Sequence, residues 1–159
     1  MAKTLSTASE EYVKLVEEAV AENSNLQFID FQVFNLVRAK NSMVKVMKAN
    51  EIAELLSNRE DLVIVGIYEK GFDRLDDERK RLLIEMALSQ VSYDSEKEKV
   101  NIGAEPAINL TLGFYHKYHD TAVEVAELEQ LTLQQIADEE KEEKERKKAE
   151  KASKKSFNN

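Results

Sequence analysis

Residues 62–68 constrain the fold most, because they form a nearly continuous run of β-branched and other apolar side chains. A strand of this composition is apolar on both faces, so other elements must cover both of them. The run therefore predicts the central strand of a sheet. Residues 82–88 are apolar on nearly every side and predict a central core helix packed against it. Together the two stretches predict an α+β fold.

Capping residues and periodicity predict the flanking elements. Apolar residues recur at three- and four-residue spacing over residues 9–22, which predicts a helix. Asn50 is placed to cap a short helix that extends to Leu56. The acidic residues 76–78 suit the first turn of the core helix, which is predicted to continue to about Val91.

A hairpin is predicted between residues 32 and 47. Its first arm carries Phe34, Leu36 and Val37, its turn is the polar stretch 40–42, and residues 43–47 return. After the core helix, a polar turn at residues 94–99 and a short strand at 100–102 are expected. A final helix is predicted to begin near residue 109.

The chain has 159 residues, a length typical of one domain and a tail. We expect an N-terminal helix in residues 1–25, an α+β domain in residues 26–136, and a charged tail in residues 137–159. The predicted domain is a small mixed sheet of about three or four strands packed on a central helix. A long charged C-terminal helix completes this prediction.

Composition excludes several classes of protein. Cysteine is absent, so there is neither a disulfide nor a thiolate metal site. No apolar run approaches the roughly 18 residues of a membrane span, so no membrane partner and a cytoplasmic location are expected. No phosphate-binding or dinucleotide-binding glycine motif is present. The net charge of −8 argues against whole-surface attraction to nucleic acid.

Three segments occur in an order that resembles a known family. They are DLVIVGIYEKGFD in the predicted strand, LDDERKRLLIE at the start of the core helix, and VSYDSEKEK in the polar turn. Residues 61–118 resemble the zincin-like putative phage metallopeptidase family, a relative of SprT-like domains. The resemblance implies a metallopeptidase fold and a phage context, which places the protein in the host cytoplasm or in a virion.

The metal-binding box of that family has no counterpart in this chain. In the family, an HExxH-type box follows the segment that matches residues 83–85, and here Met86, Ala87 and Gln90 hold the ligand and base positions. A thioether and a neutral amide are weak zinc ligands, and alanine offers no base. The third ligand position falls near Glu105, which alone cannot hold a metal. The resemblance therefore implies a lost active site, no cofactor, and a non-catalytic role in protein interaction or structure.

Two constellations leave an enzymatic alternative open. Glu85 lies within the most apolar helix. It is either a perturbed acid or, as we favour, a carboxylate that is paired with a cation such as Arg81 or exposed at the helix edge. His116, His119 and Asp120 either bind a metal or, as we favour, form an exposed cluster. An unorthodox metal-dependent hydrolase would be built from Glu85 and this cluster.

The aromatic residues Phe28, Phe31 and Phe34 suit either a partner-binding surface or core filling, and core filling is favoured. Met43 and Met47 are likewise predicted to lie in the core.

The tail alternates acidic and basic residues at helical spacing. Its basic end consists of Lys147, Lys148, Lys151, Lys154 and Lys155. A solvated helix or partly disordered extension is favoured, and contact with nucleic acid through the lysines is the alternative. A protein partner is expected, and the oligomeric state is left open.

Overall fold

The computed structural model describes residues 3–103 and 120–157. The elements, in chain order, are β1 (Leu5–Thr7), α1 (Glu10–Glu22), a 3₁₀ turn (Ser24–Leu26), β2 (Phe31–Leu36), β3 (Val44–Lys48), α2 (Glu51–Ser57), β4 (Val63–Ile67), α3 (Glu69–Phe72), α4 (Asp77–Leu88), β5 (Val91–Asp94), β6 (Lys99–Ile102) and α5 (Asp120–Phe157). The predicted α+β class, with a small mixed sheet and a long C-terminal helix, is confirmed.

Strand β4 occupies the interior of a four-stranded sheet with the order β1-β2-β4-β3. It runs parallel to β2 and antiparallel to β3, and the side chains of Val63, Val65 and Ile67 are fully buried. The predicted central strand is confirmed. The strands on its two edges pair with its backbone N–H and C=O groups, and its apolar side chains on the faces of the sheet are buried.

The predicted hairpin is wrong in its pairing. Strands β2 and β3 form where they were expected, but β4 inserts between them and each pairs with β4 instead. The seven-residue connection, residues 37–43, leaves room for this insertion, whereas a tight two-residue turn would have forced direct pairing.

Helix α4 forms the centre of the core, as predicted. Asp76 caps it by accepting a hydrogen bond from the Arg79 amide at 2.9 Å. Its buried apolar residues are Leu82, Leu83, Ile84, Ala87 and Leu88. The helix ends at Leu88 instead of continuing to residue 91, because Val91 begins β5 and pairs with β6 in a second sheet. The predicted polar turn connects these two strands.

Helix α1 packs on α4 through Tyr12, Val16 and Ala19, all in the same hydrophobic core. The predicted cap of α2 is confirmed, since the Asn50 side chain accepts from the Ala53 amide at 2.8 Å. Three short elements, β1, β5 and α3, were not predicted. With three or four residues each, they are too short to show a period.

The aromatic prediction is wrong for Phe28, whose side chain is 81% exposed. Phe28 directly follows the 3₁₀ turn, outside any strand, and its ring lies beside Tyr93. Phe31 and Phe34 are half-buried, Met43 is fully buried and Met47 is half-buried.

Helix α5 has two distinct halves. The first buries Ala122, Val125, Leu133 and Ile136 against the domain, and no residue after Ile136 is buried in the described part of the helix. The predicted start near residue 109 lies outside the described residues. Within the described ranges, no helix is both long and apolar enough to cross a membrane.

Candidate functional site

Of the three positions that the resemblance aligns with the metal box, Met86 and Ala87 lie in the last turn of α4, which ends at Leu88. Met86 is half-buried and packs against the hydrophobic core, while Ala87 is 5% exposed within it. Gln90 lies just beyond the helix, where its amide donates to the Ala87 carbonyl at 3.2 Å and its carbonyl accepts from the Gly103 amide at 3.0 Å. Gln90 therefore joins the end of α4 to the end of β6.

The donor chemistry of these positions does not fit a zinc ion. Met86 presents a thioether, Ala87 presents no donor, and Gln90 presents a neutral amide. In residues 3–103 and 120–157, no group of three histidine, cysteine, aspartate or glutamate residues is placed to hold a metal. Glu105, the remaining box position, lies outside the described residues.

Glu85 forms an ion pair within α4, as favoured from the sequence. Its carboxylate lies 3.3 Å from the Arg81 guanidinium, which also contacts Glu22 on α1. Arg81 thus links the Glu85 carboxylate on α4 to Glu22 on α1. His116 and His119 lie outside the described residues, and Asp120 is exposed at the first residue of α5.

A cleft with basic walls lies between the edge strand β3 and strand β6, on one side of Gln90. It has a volume of about 1030 Å³, and its basic side chains are Arg38, Lys40, Lys45 and Lys48. No aspartate or glutamate is among its described lining residues. Lys48 pairs with Asp61 at 3.4 Å outside the cleft wall. We call this the basic cleft.

A second cleft adjoins the first on the other side of Gln90. It has a volume of about 720 Å³ and is lined by Phe28, Tyr93 and uncharged polar side chains that include Asn23 and Asn25. The ring centroids of Phe28 and Tyr93 are 6.5 Å apart. We call this the aromatic cleft. The two clefts share four lining residues, which are Gln90, Asn101, Ile102 and Gly103.

Glu129 is a buried carboxylate that sequence reasoning missed. It lies on the apolar face of α5 between Val125 and Leu133, and it accepts a hydrogen bond from the Met43 amide at 3.1 Å. The neighbouring Gln130 donates to the Asn41 carbonyl at 2.8 Å. These two bonds fix the loop that carries Lys40 into the basic cleft. The sequence does hold a signal for its burial, because Glu129 is four residues from both Val125 and Leu133 and so shares their helix face.

Replacing Glu129 by glutamine should change how stability depends on pH. Burial raises the pKa of Glu129, and the hydrogen bonds from Met43 and Ser42 lower it in part. A raised folded-state pKa gives stability that is fully present below the unfolded pKa of about 4.3 and is lost as pH rises through the folded-state value. The free energy of unfolding of the wild type should therefore fall relative to that of Glu129→Gln as pH increases.

Urea unfolding between about pH 4 and pH 7 measures this difference. Glu127→Gln, on the exposed face of the same helix, is the matched control for the change in charge. Parallel stability profiles for the wild type and Glu129→Gln would contradict a pH-sensitive carboxylate at this position.

Two ion pairs, Lys70–Glu140 and Arg74–Glu139, hold α5 to the domain at the point where its buried half ends, and we call them the ionic clamp. Lys70 contacts Glu140 at 2.6 Å, and Arg74 forms two hydrogen bonds with Glu139 at 3.1 and 2.7 Å. Residues 141–157, which we call the C-terminal arm, are all exposed. The solvated-helix prediction is confirmed, and the arm includes the pair Glu143–Lys147 at 2.5 Å. The five lysines of its basic end are exposed along this helix.

Comparison of the chain with protein-family models, with curated proteins and with solved structures gives no match.

Proposed function

We propose that this protein is a non-catalytic, zincin-like module of phage type that acts in protein interaction or in structure. The observation that carries the proposal is the state of the box positions on α4. Ala87, where the family has its catalytic glutamate, lies in the hydrophobic core at 5% exposure. A face that packs into the core has no surface on which to present a base to a metal-bound water.

The packing of this face supports the same proposal. In a zincin, the metal ion cross-links the helix to its surroundings and contributes to folding. Here Met86 packs against the core and Gln90 is hydrogen-bonded through its backbone to β6. Apolar contacts and backbone hydrogen bonds thus take over a connection that a metal would otherwise make.

The C-terminal arm is the element that we propose contacts a protein partner. Its 17 residues extend about 25 Å beyond the clamp at a rise of about 1.5 Å per residue. The arm has no apolar face that needs cover from its own domain, and the ion pairs to Lys70 and Arg74 set its direction. A rigid, highly charged helix of this kind suits partner recognition by charge complementarity.

A zinc-binding experiment tests the lost-site component. Met86→His with Gln90→His restores two ligands without placing a charge at buried Ala87, so the variant should fold. We expect equilibrium dialysis to detect zinc on the double variant and none on the wild type, because paired imidazoles bind zinc far better than a thioether and an amide. Stoichiometric zinc on the wild-type protein would refute the proposal. A folded double variant that gains no zinc would show that α4 does not correspond to the family's metal helix.

Truncation after Glu140 tests the interaction component. It keeps both ion pairs of the clamp and removes exposed residues alone, so the melting temperature should change by no more than about 2 °C. Affinity capture from expressing cells with both forms should then identify a protein that the full chain retains and the truncated chain loses. Identical captured sets would contradict a role for the arm.

A further inference from the structure

The basic cleft is positively charged, whereas the net charge of the chain is negative. The chain carries a net charge of −8, yet four cationic side chains surround this cleft and its described lining contains no carboxylate. Lys40 and Lys45 are exposed, and within residues 3–103 and 120–157 neither forms an ion pair. Lys48 is paired with Asp61, so the positive charge that is left to attract an anionic ligand is mainly that of Lys40 and Lys45.

The aromatic cleft, which adjoins the basic cleft, offers flat apolar surfaces. Phe28 is 81% exposed and Tyr93 is 37% exposed, so the ring of Phe28 in particular has a face open to a ligand. The two rings lie side by side, with centroids 6.5 Å apart, and adjacent exposed apolar groups mark binding sites more often than a single exposed side chain does. The amide side chains of Asn23, Asn25 and Asn101 provide hydrogen-bond donors and acceptors around these rings.

The two clefts adjoin, because Gln90 and Asn101 line both. A ligand that spans these shared residues would meet cations on one side and aromatic rings on the other. Cations that follow a phosphate backbone beside rings on which bases stack are the combination that binds single strands without sequence preference. We propose that the joined basic and aromatic clefts bind single-stranded nucleic acid.

The chemistry favours a single strand over two other anionic ligands. A duplex keeps its bases stacked inside, so it would engage the lysines and leave the rings unused. An acidic peptide would likewise need the cations alone. The site is distinct from the lysines of the C-terminal arm, and it does not depend on whether the protein is catalytic.

Binding of a fluorescent oligothymidine of about 15 nucleotides to the full chain, followed by anisotropy at about 50 mM salt, tests the proposal. Lys40→Ala with Lys45→Ala removes two cleft lysines, and Lys151→Ala with Lys154→Ala removes two arm lysines as the matched control. We expect the cleft pair to weaken binding about tenfold or more and to reduce the slope of log K against log salt by about 1.4, at about 0.7 per phosphate contact. The arm pair should change binding less than about threefold.

A second matched pair tests the stacking surface. Phe28→Ala should weaken binding about tenfold, within the range measured for loss of one stacked base, whereas Phe157→Ala should have no effect. Phe157 is 92% exposed at the end of the arm, so both substitutions remove an exposed ring. All the substituted side chains are exposed, and thermal melting will verify that each variant is folded.

Three outcomes would overturn the proposal. One is the absence of binding by the wild type at low salt. Another is loss of binding in the arm variants while the cleft variants bind normally, which would assign nucleic acid to the arm. The third is that a polyglutamate peptide competes as well as the oligonucleotide while Phe28→Ala is silent, which would assign an acidic peptide to the cleft.

Discussion

Ala87→Glu is expected to destabilise the protein by about 3–5 kcal/mol, because it places an unpaired carboxylate in the core. Ala87 is 5% exposed and belongs to the same hydrophobic cluster as Ile84 and Leu88. A loss of this size is a large fraction of the stability of a small domain, so the variant should be largely unfolded or strongly shifted in its denaturation midpoint. Urea denaturation followed by circular dichroism measures it.

Ala149→Glu is the matched control, since it makes the same substitution at an exposed position of a helix. We expect its free energy of unfolding to stay within about 0.5 kcal/mol of the wild type. If Ala87→Glu were as mild as Ala149→Glu, the face of α4 that corresponds to the metal box would be open to water. That result would restore the possibility of a functional site there.

Phe72→Ala is the second substitution with a large expected effect, at about 3–5 kcal/mol. Phe72 is fully buried, and its ring centroid lies 5.5 Å from that of Tyr12, so it connects α3 to α1. Its removal leaves a cavity at the junction of these helices and should lower the melting temperature by about 10 °C.

Phe157→Ala provides the comparison, because its ring is almost fully exposed. Thermal melting should place this variant within about 2 °C of the wild type. A Phe72→Ala variant that melted equally close to the wild type would show that the α1–α3 junction contributes little to the core.

The parts of the fold that were predicted from the sequence are those whose composition leaves few alternatives. Residues 62–68 had to be covered on both faces, and β4 is a central strand. Residues 82–88 contain one charged side chain, that of Glu85, and they supply the buried apolar residues of α4. In both cases the apolar pattern alone predicts that the element lies inside the core.

Strand pairing was not predictable in the same way. The segments that form β2 and β3 are neighbours in the sequence, and local pattern favoured a hairpin. The pairing depends instead on β4, which comes after β3 and helix α2 in the sequence. It lies between β2 and β3 in the sheet and pairs with one of them on each edge. Competition among distant strands for one partner leaves no mark in a local window of sequence.

The candidate sites likewise include features that the sequence could predict and features that it could not. The proposed loss of a metal box could be inferred from the sequence, because the positions of such a box have a fixed spacing from one another. The two clefts could not be inferred, because Phe28, Lys45 and Asn101 come from separate segments that meet only in the folded chain. Glu129 was overlooked because a carboxylate on a helix is usually exposed, and its partner, the Met43 amide, is 86 residues away in the sequence.

Elemental analysis of the purified, untagged protein tests the central claim most directly, which is that the box positions on α4 serve as core and not as a metal clasp. We predict substoichiometric zinc, manganese and iron after exhaustive dialysis, with no change in the melting temperature when a chelator is added. One tightly held ion per chain, lost to the chelator together with a fall in melting temperature, would contradict it.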